Sequence, residues 1–164
     1  MTANPKYKVL IVCTGNTCRS AMAKGILRKV AEERKLNNLE IYSAGTGAMA
    51  GMPATDYAIA AAAHWDIDIS GHRSTALTPE LIKNSNLILA MAPEHADTIL
   101  SYDRATISKL HLFKGFPLSY ERSQAGVDDP IGGSLEQYNQ TFLELDEITR
   151  NIFPQIIKLS RADD

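Results

Sequence analysis

The chain has 164 residues, of which 45% are hydrophobic and 22% charged, and its formal net charge is −2 at pH 7. This length and composition predict one soluble domain over 1–164, and the small charge gives no reason to expect nucleic acid or a membrane as a partner. No apolar run approaches the roughly 20 residues of a membrane-spanning helix, and the N-terminal MTANPKYK lacks an apolar signal core, so we expect a cytoplasmic protein.

Short apolar runs alternate with segments of helical spacing along the whole chain after a loose arm at residues 1–6. The expected strands are 7–12, 39–43, 86–91 and 109–113, and the expected helices are 21–35, 53–65, 78–85, 93–102 and one that begins after Ser134. Strands and helices that alternate in this way predict an α/β domain with a four-stranded parallel sheet and helices on both faces.

Two loops and the last helix have further sequence features that predict structure. The glycine-rich loop after the second strand lacks the G-x-G-x-x-G order of a dinucleotide site, so we interpret it as a connection near the functional site. The loop at 114–133 is long, and loops of this length in a compact domain are usually functional or disordered. Ser134 and Gln137 predict a capping box for the last helix, which Pro154 should kink or split near its end.

The stretch CTGNTCRS, residues 13–20, joins the first predicted strand to the first predicted helix. A helix N-terminus leaves N–H groups unpaired and carries a partial positive charge, so it binds oxyanions readily. The five residues between Cys13 and Arg19 can wrap their N–H groups around one tetrahedral anion, and the planar guanidinium can bind two of its oxygens. The same positive field favours the thiolate of Cys13. We therefore predict an anion-binding loop with a nucleophile at its base, here called the anion loop (residues 13–20).

Two further residues of the anion loop have narrower expected roles. Gly15 is expected to adopt a backbone angle that a side chain resists. Ser20 stands at the helix start, where its hydroxyl could cap the helix or donate to the thiolate. The plain structural alternative is a buried strand-end cysteine with a surface arginine, and the order of all eight residues between a strand and a helix disfavours it.

A thiolate that attacks a phosphoryl group also needs a proton donor for the leaving group. A correctly placed carboxylic acid supplies about 10²–10⁴-fold in rate. The candidates are Asp128 and Asp129 in VDDPIGG, residues 127–133, here called the acid loop. Asp129 precedes Pro130, which favours an extended backbone at the aspartate. An ordinary Asp-Pro turn is the alternative interpretation.

The sequence CTGNTCRS after the apolar VLIV resembles the phosphate-binding loop of the low-molecular-weight protein tyrosine phosphatases, and the resemblance runs from about Lys8 to the last helix. It implies that the Cys13 thiolate attacks phosphorus in a phosphorylated protein, that Arg19 holds the phosphoryl oxygens, and that Asp129 is the general acid. It also implies that no metal or cofactor takes part. The residues that would surround the substrate phosphate are Thr14, Gly15, Asn16, Thr17, Cys18 and Ser20.

Two residues outside both loops also match this family. Ser43 and His72 resemble the residues whose side chains hydrogen-bond the asparagine of the loop, here Asn16, and so hold the loop in shape. The remaining histidines are assigned no role in the site, and one of them, His111, is expected to pack within the fourth strand. These other histidines are His64, His95 and His111.

Two substrates fit the resemblance. The family default is phosphotyrosine, but tyrosine-phosphate members carry aromatic residues after Asp-Pro, and here Ile131, Gly132 and Gly133 follow instead. Thr17 and the D-P-x-G-G sequence both resemble the protein-arginine-phosphatase branch. A hydroxyl beside the cysteine could orient a polar N–P group or the attacking water, and it would form a poor apolar wall for a ring.

Two other functions remain as alternatives. Arsenate reductases of the same superfamily need further cysteines to pass a disulfide outward, and this chain has only Cys13 and Cys18. A non-catalytic phosphate-binding module is the second alternative. Cys18 itself could form a protective disulfide with Cys13 or be a small packing residue. The cysteine spacing does not predict zinc, and the oligomeric state is not predicted.

Overall fold

The structure is a computed structural model that describes residues 6–122 and 124–162. Most of the expected N-terminal arm, residues 1–5, lies outside the described residues. The strands are β1 (Tyr7–Cys13), β2 (Leu39–Gly45), β3 (Leu87–Ala90) and β4 (Leu110–Leu112). The α-helices are α1 (Arg19–Glu33), α2 (Asp56–Ala63), α3 (Pro79–Asn84), α4 (Pro93–Tyr102) and α5 (Leu135–Ala162), and short 3₁₀ turns occupy Arg104–Lys109 and Tyr120–Arg122.

The four strands form one parallel sheet in the order β2-β1-β3-β4. Alternate residues of β1 enter two separate cores, one on each face of the sheet. Val9 and Ile11 pack with α1, α2 and α5, whereas Leu10 and Val12 pack with α3 and α4. The predicted α/β domain, with a parallel sheet and helices on both faces, is therefore confirmed.

The position of β1 in the sheet decides where a ligand can bind. The chain passes from β1 to β2 on one side of it, and then crosses to β3 on the other. In a parallel α/β sheet, this change of direction opens a crevice beyond the carboxyl ends of the strands. The anion loop starts at the last residue of β1 and lies in this crevice.

The structure corrects the ends of two predicted helices. Helix α1 ends at Glu33 rather than near residue 35, because Lys35 adopts a left-handed φ of 56° and closes the last turn. Helix α2 begins after Thr55, whose side chain accepts a hydrogen bond from the N–H of Ala58. Pro53 therefore lies outside α2, although its fixed φ predicts a place in the first turn. Trp65, 47% exposed, also lies beyond the helix.

The last helix begins as predicted. The Ser134 N–H donates to Gln137 Oε1 at 2.8 Å, and the Gln137 N–H donates to Ser134 Oγ at 3.2 Å, so the capping box is present. Of the two effects expected of Pro154, a kink or a split, the split is wrong, because α5 runs for 28 residues through the proline. Phe153 and Ile156 are fully buried on either side of it, and their packing offsets the backbone hydrogen bond that proline removes.

Among the described residues, none of the helices has the combination of length and apolarity that crossing a membrane requires.

Candidate active site

Cys13 is the last residue of β1 and is 2% exposed at the floor of the anion loop. Its Sγ lies 2.8 Å from Ser20 Oγ. The same hydroxyl oxygen accepts a hydrogen bond from Asn16 Nδ2 at 2.8 Å. Since the amide nitrogen must donate, the hydroxyl hydrogen of Ser20 is left to donate to the sulfur. Of the two roles open to Ser20, the structure therefore favours the bond to Cys13, and Ser20 lies inside α1 rather than at its cap.

Asn16 holds the strained turn of the anion loop. Its φ is 56°, in the left-handed region that asparagine tolerates better than most residues. The prediction placed the special backbone angle one residue earlier, at Gly15. That prediction is wrong, because Gly15 does not have a positive φ and a side-chain carbon there would meet only Thr17 Oγ1, at an ordinary 3.5 Å.

The two residues expected to hold the Asn16 side chain do not contact it as predicted. Ser43 is buried, but its Oγ has no hydrogen-bond partner within the described part of the chain. The reason lies in the sheet register, which pairs Ser43 with Ile11, two residues before Cys13 and so below the loop. His72 does bind Asn16, yet its Nε2 lies 2.7 Å from the backbone carbonyl oxygen rather than from the side chain.

The Asn16 side chain is held by other groups. Its Oδ1 accepts a hydrogen bond from the Thr75 N–H at 2.8 Å, and its Nδ2 donates to Ser20 as described above. Burial lowers the pKa of His72, while its bond to the carbonyl of Asn16 acts in the opposite direction. An imidazole that donates to a carbonyl needs only its neutral form, so His72 can hold the loop without a charge.

The glycine-rich loop after β2 supports the back of the anion loop, in agreement with its predicted place near the site. The Thr46 N–H donates to the Cys13 carbonyl at 2.9 Å, and the Gly47 N–H donates to the Thr14 carbonyl at 3.0 Å. A side-chain carbon at Gly45 would lie 2.3 Å from that same Thr14 oxygen. Gly45 is therefore needed so that the two backbones can approach, a requirement that composition alone did not reveal.

Arg19 connects the anion loop to the acid loop. Its guanidinium is only 4% exposed, and its Nη1 donates to the carbonyl oxygen of Val127 at 2.8 Å. Its Nη2 lies 3.5 Å from Asp129 Oδ2 and 3.5 Å from Thr14 Oγ1. One buried cation thus contacts both of the loops that the sequence singles out.

Asp129 stands at the open side of this arrangement, with its side chain 39% exposed. Its Oδ1 accepts a hydrogen bond from the Ile131 N–H at 3.1 Å, so the aspartate forms a local turn with the residues after Pro130. Gly132 continues the turn with a positive φ of 78°. The turn presents one carboxylate oxygen to Arg19 and leaves the group accessible from solvent.

Cys18 lies in a small polar cluster between the anion loop and α5. It is 4% exposed and free, as is Cys13. Its Sγ is 3.2 Å from the hydroxyl of Tyr138 and 3.6 Å from Thr55 Oγ1. Burial and this bond to Cys18 raise the pKa of Tyr138 to about 12. Sequence reasoning gave Tyr138 no role in the site, and its contact with the loop was missed.

His95 is a second residue that sequence reasoning missed. It lies in the first turn of α4, is 1% exposed, and places Nε2 2.8 Å from Thr14 Oγ1 in the anion loop. Its spacing of four residues from the buried Ile99 could have placed it on the inner face of α4. His111, by contrast, packs in β4 as predicted, with its ring edge-on to Phe116.

The buried His95 predicts a pH dependence of stability. Burial and the nearby Arg19 lower the pKa of His95 from 6.5 to about 4, and Glu94 and Asp129 oppose the shift. The unfolded chain therefore binds a proton that the folded chain excludes, so the contribution of His95 to the free energy of unfolding is full above pH 6.5 and is lost as the pH falls to about 4. We expect a loss on the order of 2 kcal/mol across this range, measured by urea unfolding.

The matched control for this dependence is His95→Gln, which removes the titrating group and keeps a side-chain N–H donor. The pKa of His72 is also lowered by burial, but His72 is present in both proteins and cancels in the difference between them. Unfolding free energies that fall in parallel in the two proteins from pH 6.5 to 4 would refute the assignment of this dependence to His95.

A buried cysteine that ends β1 and a buried arginine that opens α1 place this molecule in the class of α/β proteins that carry both residues in the loop between a strand and a helix. Within residues 6–122 and 124–162, no group of three or more His, Cys, Asp or Glu side chains is arranged to hold a metal ion.

Comparisons with known proteins identify the family within this class. The family model described as low molecular weight phosphotyrosine protein phosphatase matches residues 8–162. The chain belongs to this family.

The proteins similar to this chain are named for two different substrates, phosphoarginine and phosphotyrosine. A protein-arginine-phosphatase of Bacillus subtilis is 37% identical over 150 residues, which are 92% of this chain and 97% of that protein. A probable low molecular weight protein-tyrosine-phosphatase, EpsP, of Ralstonia nicotianae is 45% identical over 132 residues, 80% of this chain and 83% of that one. Among solved structures, the YwlE arginine phosphatase from Geobacillus stearothermophilus superposes with a TM-score of 0.82 at 32% identity, covering 93% of this chain and 94% of that one.

Proposed function

We propose that this chain, as one domain over 1–164, is a phosphoprotein phosphatase that acts in two steps through a cysteinyl phosphate on Cys13. The observation that carries the proposal is the bridge formed by Arg19, which is within 3.5 Å of both the acid-loop carboxylate of Asp129 and the anion-loop hydroxyl of Thr14. A nucleophile, an anion site and a proton donor are thereby gathered around one position.

In the first step, the Cys13 thiolate attacks phosphorus and the bond from phosphorus to the leaving nitrogen or oxygen breaks. Asp129, in its protonated form, gives its proton to that leaving atom. The N–H groups of the anion loop and the guanidinium of Arg19 bind the three equatorial phosphoryl oxygens, where negative charge is spread in the transition state. The hydrogen bond from Ser20 stabilises the thiolate before attack.

In the second step, water attacks the cysteinyl phosphate. The phosphorus–sulfur bond breaks, its electron pair returns to Cys13 as the thiolate, and inorganic phosphate is released. Asp129, now ionised, takes the proton of the attacking water and so returns to the form that starts the cycle. No step needs a metal or a cofactor.

For the substrate, we propose phosphoarginine in proteins, with phosphotyrosine as the competing assignment. Thr17 supports this choice, since its half-buried hydroxyl stands in the anion loop between Asn16 and Cys18. The acid loop supports it as well, because Ile131, 61% exposed, and two glycines stand after Asp-Pro, where tyrosine-phosphate members carry aromatic residues. The likeness to proteins named arginine phosphatases agrees with it, whereas the likeness to EpsP favours phosphotyrosine.

The substrate assignment predicts a result for Thr17→Ile. Wild type should show a higher kcat/KM on a phosphoarginine peptide than on a phosphotyrosine peptide. The isoleucine removes the hydroxyl and supplies an apolar wall, so the ratio should shift by about 10-fold or more toward phosphotyrosine, which corresponds to about 1.4 kcal/mol. The matched control is Thr98→Ile on α4, the same change at a residue that bonds only within its own helix turn. A wild type that prefers phosphotyrosine, with the ratio unchanged in Thr17→Ile, would exclude phosphoarginine.

Cys18 is assigned here to the wall of the anion site. The observed contacts of its sulfur with Tyr138 and Thr55 agree with a packing role in the reduced protein. A protective disulfide with Cys13 stays a hypothesis for oxidising conditions.

A further inference from the structure

We propose that His95 is a positioning residue of the anion loop, which donates a hydrogen bond from Nε2 to Thr14 Oγ1 and thereby fixes the start of the loop and the guanidinium of Arg19 for phosphate binding. The inference rests on the proposed phosphatase site. It adds to that site a residue of α4, an element that contributes no other side chain to it.

The contacts form one continuous chain across the sheet edge. His95 Nε2 lies 2.8 Å from Thr14 Oγ1, and Arg19 Nη2 lies 3.5 Å from the same oxygen. The same guanidinium nitrogen lies 3.5 Å from Asp129 Oδ2. A shift of α4 or of the His95 side chain would therefore act on both loops through a single hydroxyl.

The proton on His95 can be assigned from the partners of its two ring nitrogens. Nδ1 is buried and has no hydrogen-bond partner within the described residues. A proton on Nδ1 would leave a buried N–H donor unpaired, which is rarer in proteins than an acceptor that is not used. A proton on Nε2 instead gives Thr14 Oγ1 a second donor beside Arg19, which fills both of its lone pairs. The hydroxyl hydrogen of Thr14, whose side chain is exposed, is then free to donate to a ligand.

Burial and the charge of Arg19 also favour a neutral His95 that donates from Nε2. Arg19, Glu94 and Asp129 are the charged groups that act on His95, and burial together with Arg19 keeps the imidazole uncharged. A second buried cation beside Arg19 would draw Thr14 and the phosphate ligand toward itself. An uncharged donor holds the hydroxyl and leaves Arg19 as the cation at the mouth of the loop.

A purely structural role does not explain why histidine stands here. The neighbours on the inner face of α4 are the fully buried Ala96 and Ile99, which fill their places with apolar atoms alone. Burying a histidine that leaves one ring nitrogen unpaired is unfavourable relative to burying an apolar residue of similar shape. The bond to Thr14 is the contact that distinguishes His95 from such a residue.

The test measures binding of inorganic phosphate by calorimetry, so that it does not depend on turnover. His95→Leu should weaken phosphate binding by about 5- to 10-fold, the effect of one lost hydrogen bond. Thr14→Val should weaken it at least as much, because it removes the bond from His95 together with the contact of Thr14 with Arg19. The double variant should be no weaker than Thr14→Val alone, because that change already removes the bond from His95. His95→Gln, which can place an N–H near the position of Nε2, should recover most of the affinity. Thr98→Val on α4 is the control for a threonine change elsewhere in the fold.

A second measurement protects the test against a His95→Leu protein that fails to fold. Heteronuclear NMR of the imidazole in wild type should show the proton on Nε2, and Thr14→Val should perturb that nitrogen while Nδ1 stays unprotonated. Wild-type phosphate affinity in Thr14→Val, additive losses in the double variant, or a proton on Nδ1 would each overturn the proposal. A wild type that binds phosphate as expected yet hydrolyses no phosphopeptide would refute the proposed function and leave the role of His95 in place.

Discussion

Replacing Cys13 with serine should abolish phosphatase turnover, with kcat/KM on para-nitrophenyl phosphate reduced by at least about 10⁴-fold. The thiolate is a strong nucleophile at neutral pH, whereas a serine hydroxyl in the same place has no base to activate it. Ser20 Oγ, 2.8 Å away, is a neutral hydroxyl that donates to the sulfur, and it is too weak a base to take up the proton of a serine at position 13. The loss should therefore be in kcat.

The Cys13→Ser protein should still fold and still bind inorganic phosphate, because serine is nearly isosteric and the anion-binding N–H groups and Arg19 are unchanged. Phosphate affinity measured by calorimetry is the control that separates a lost nucleophile from a lost site. Activity retained within about 10-fold of wild type would exclude Cys13 as the nucleophile. A wild type without turnover would favour the non-catalytic phosphate-binding module instead.

Asp129→Asn should lower kcat by about 10²–10³-fold while changing KM little. The amide cannot give a proton to the leaving group, so the loss should grow as the leaving group becomes more basic. It should be larger for a phenyl phosphate than for para-nitrophenyl phosphate. Structure should be preserved, because an asparagine oxygen can still accept the hydrogen bond from the Ile131 N–H. The ion pair with Arg19 is long and half-exposed, so its removal costs little stability.

The neighbouring aspartate offers a matched control for this prediction. Asp128→Asn makes the same chemical change one residue away, on an exposed side chain of the same loop. It should lower kcat by less than about 3-fold. If Asp128→Asn caused the larger loss, or if the loss in Asp129→Asn did not depend on the leaving group, the general acid would have to be sought elsewhere.

Features that depend on neighbouring residues were predictable from the sequence. The anion loop lies between a strand and the helix beside it, so the sequence alone placed Cys13 at the floor of the loop and Arg19 just before the helix, which in the structure already begins at Arg19. The alternation of strands with helices likewise predicted the parallel sheet. Asp129 is far along the chain, and residue spacing gave it no link to Cys13. Its assignment came from the resemblance to the family, and the structure places it beside Arg19.

Features that depend on register or on exact backbone angles were predicted less well. The sequence marks Ser43 as a residue near the end of a strand. Its position below the loop depends on its pairing with Ile11, which is a contact between residues far apart in the sequence. Glycine and asparagine both tolerate a positive φ, so composition could not decide between Gly15 and Asn16. The same limit applies to Gly45, because the requirement for glycine there comes from the close approach of the glycine-rich loop to the anion loop.

The residues that were missed join the anion loop from distant elements. His95 reaches it from α4 and Tyr138 from α5, each through one hydrogen bond to a loop side chain. Helical periodicity can place both residues on the buried faces of their helices, but it cannot show that a buried polar atom contacts a functional loop. Such contacts need the three-dimensional structure.

The most direct test of the central claim is to trap the covalent intermediate. Wild type in steady turnover of a phosphopeptide is quenched in acid, digested, and analysed by mass spectrometry for a phosphoryl group. We predict one phosphoryl group on the peptide that contains Cys13, absent from Cys13→Ala treated in the same way. A turning-over enzyme that carries no phosphoryl group on this peptide, or carries it on another residue, would contradict catalysis through a cysteinyl phosphate.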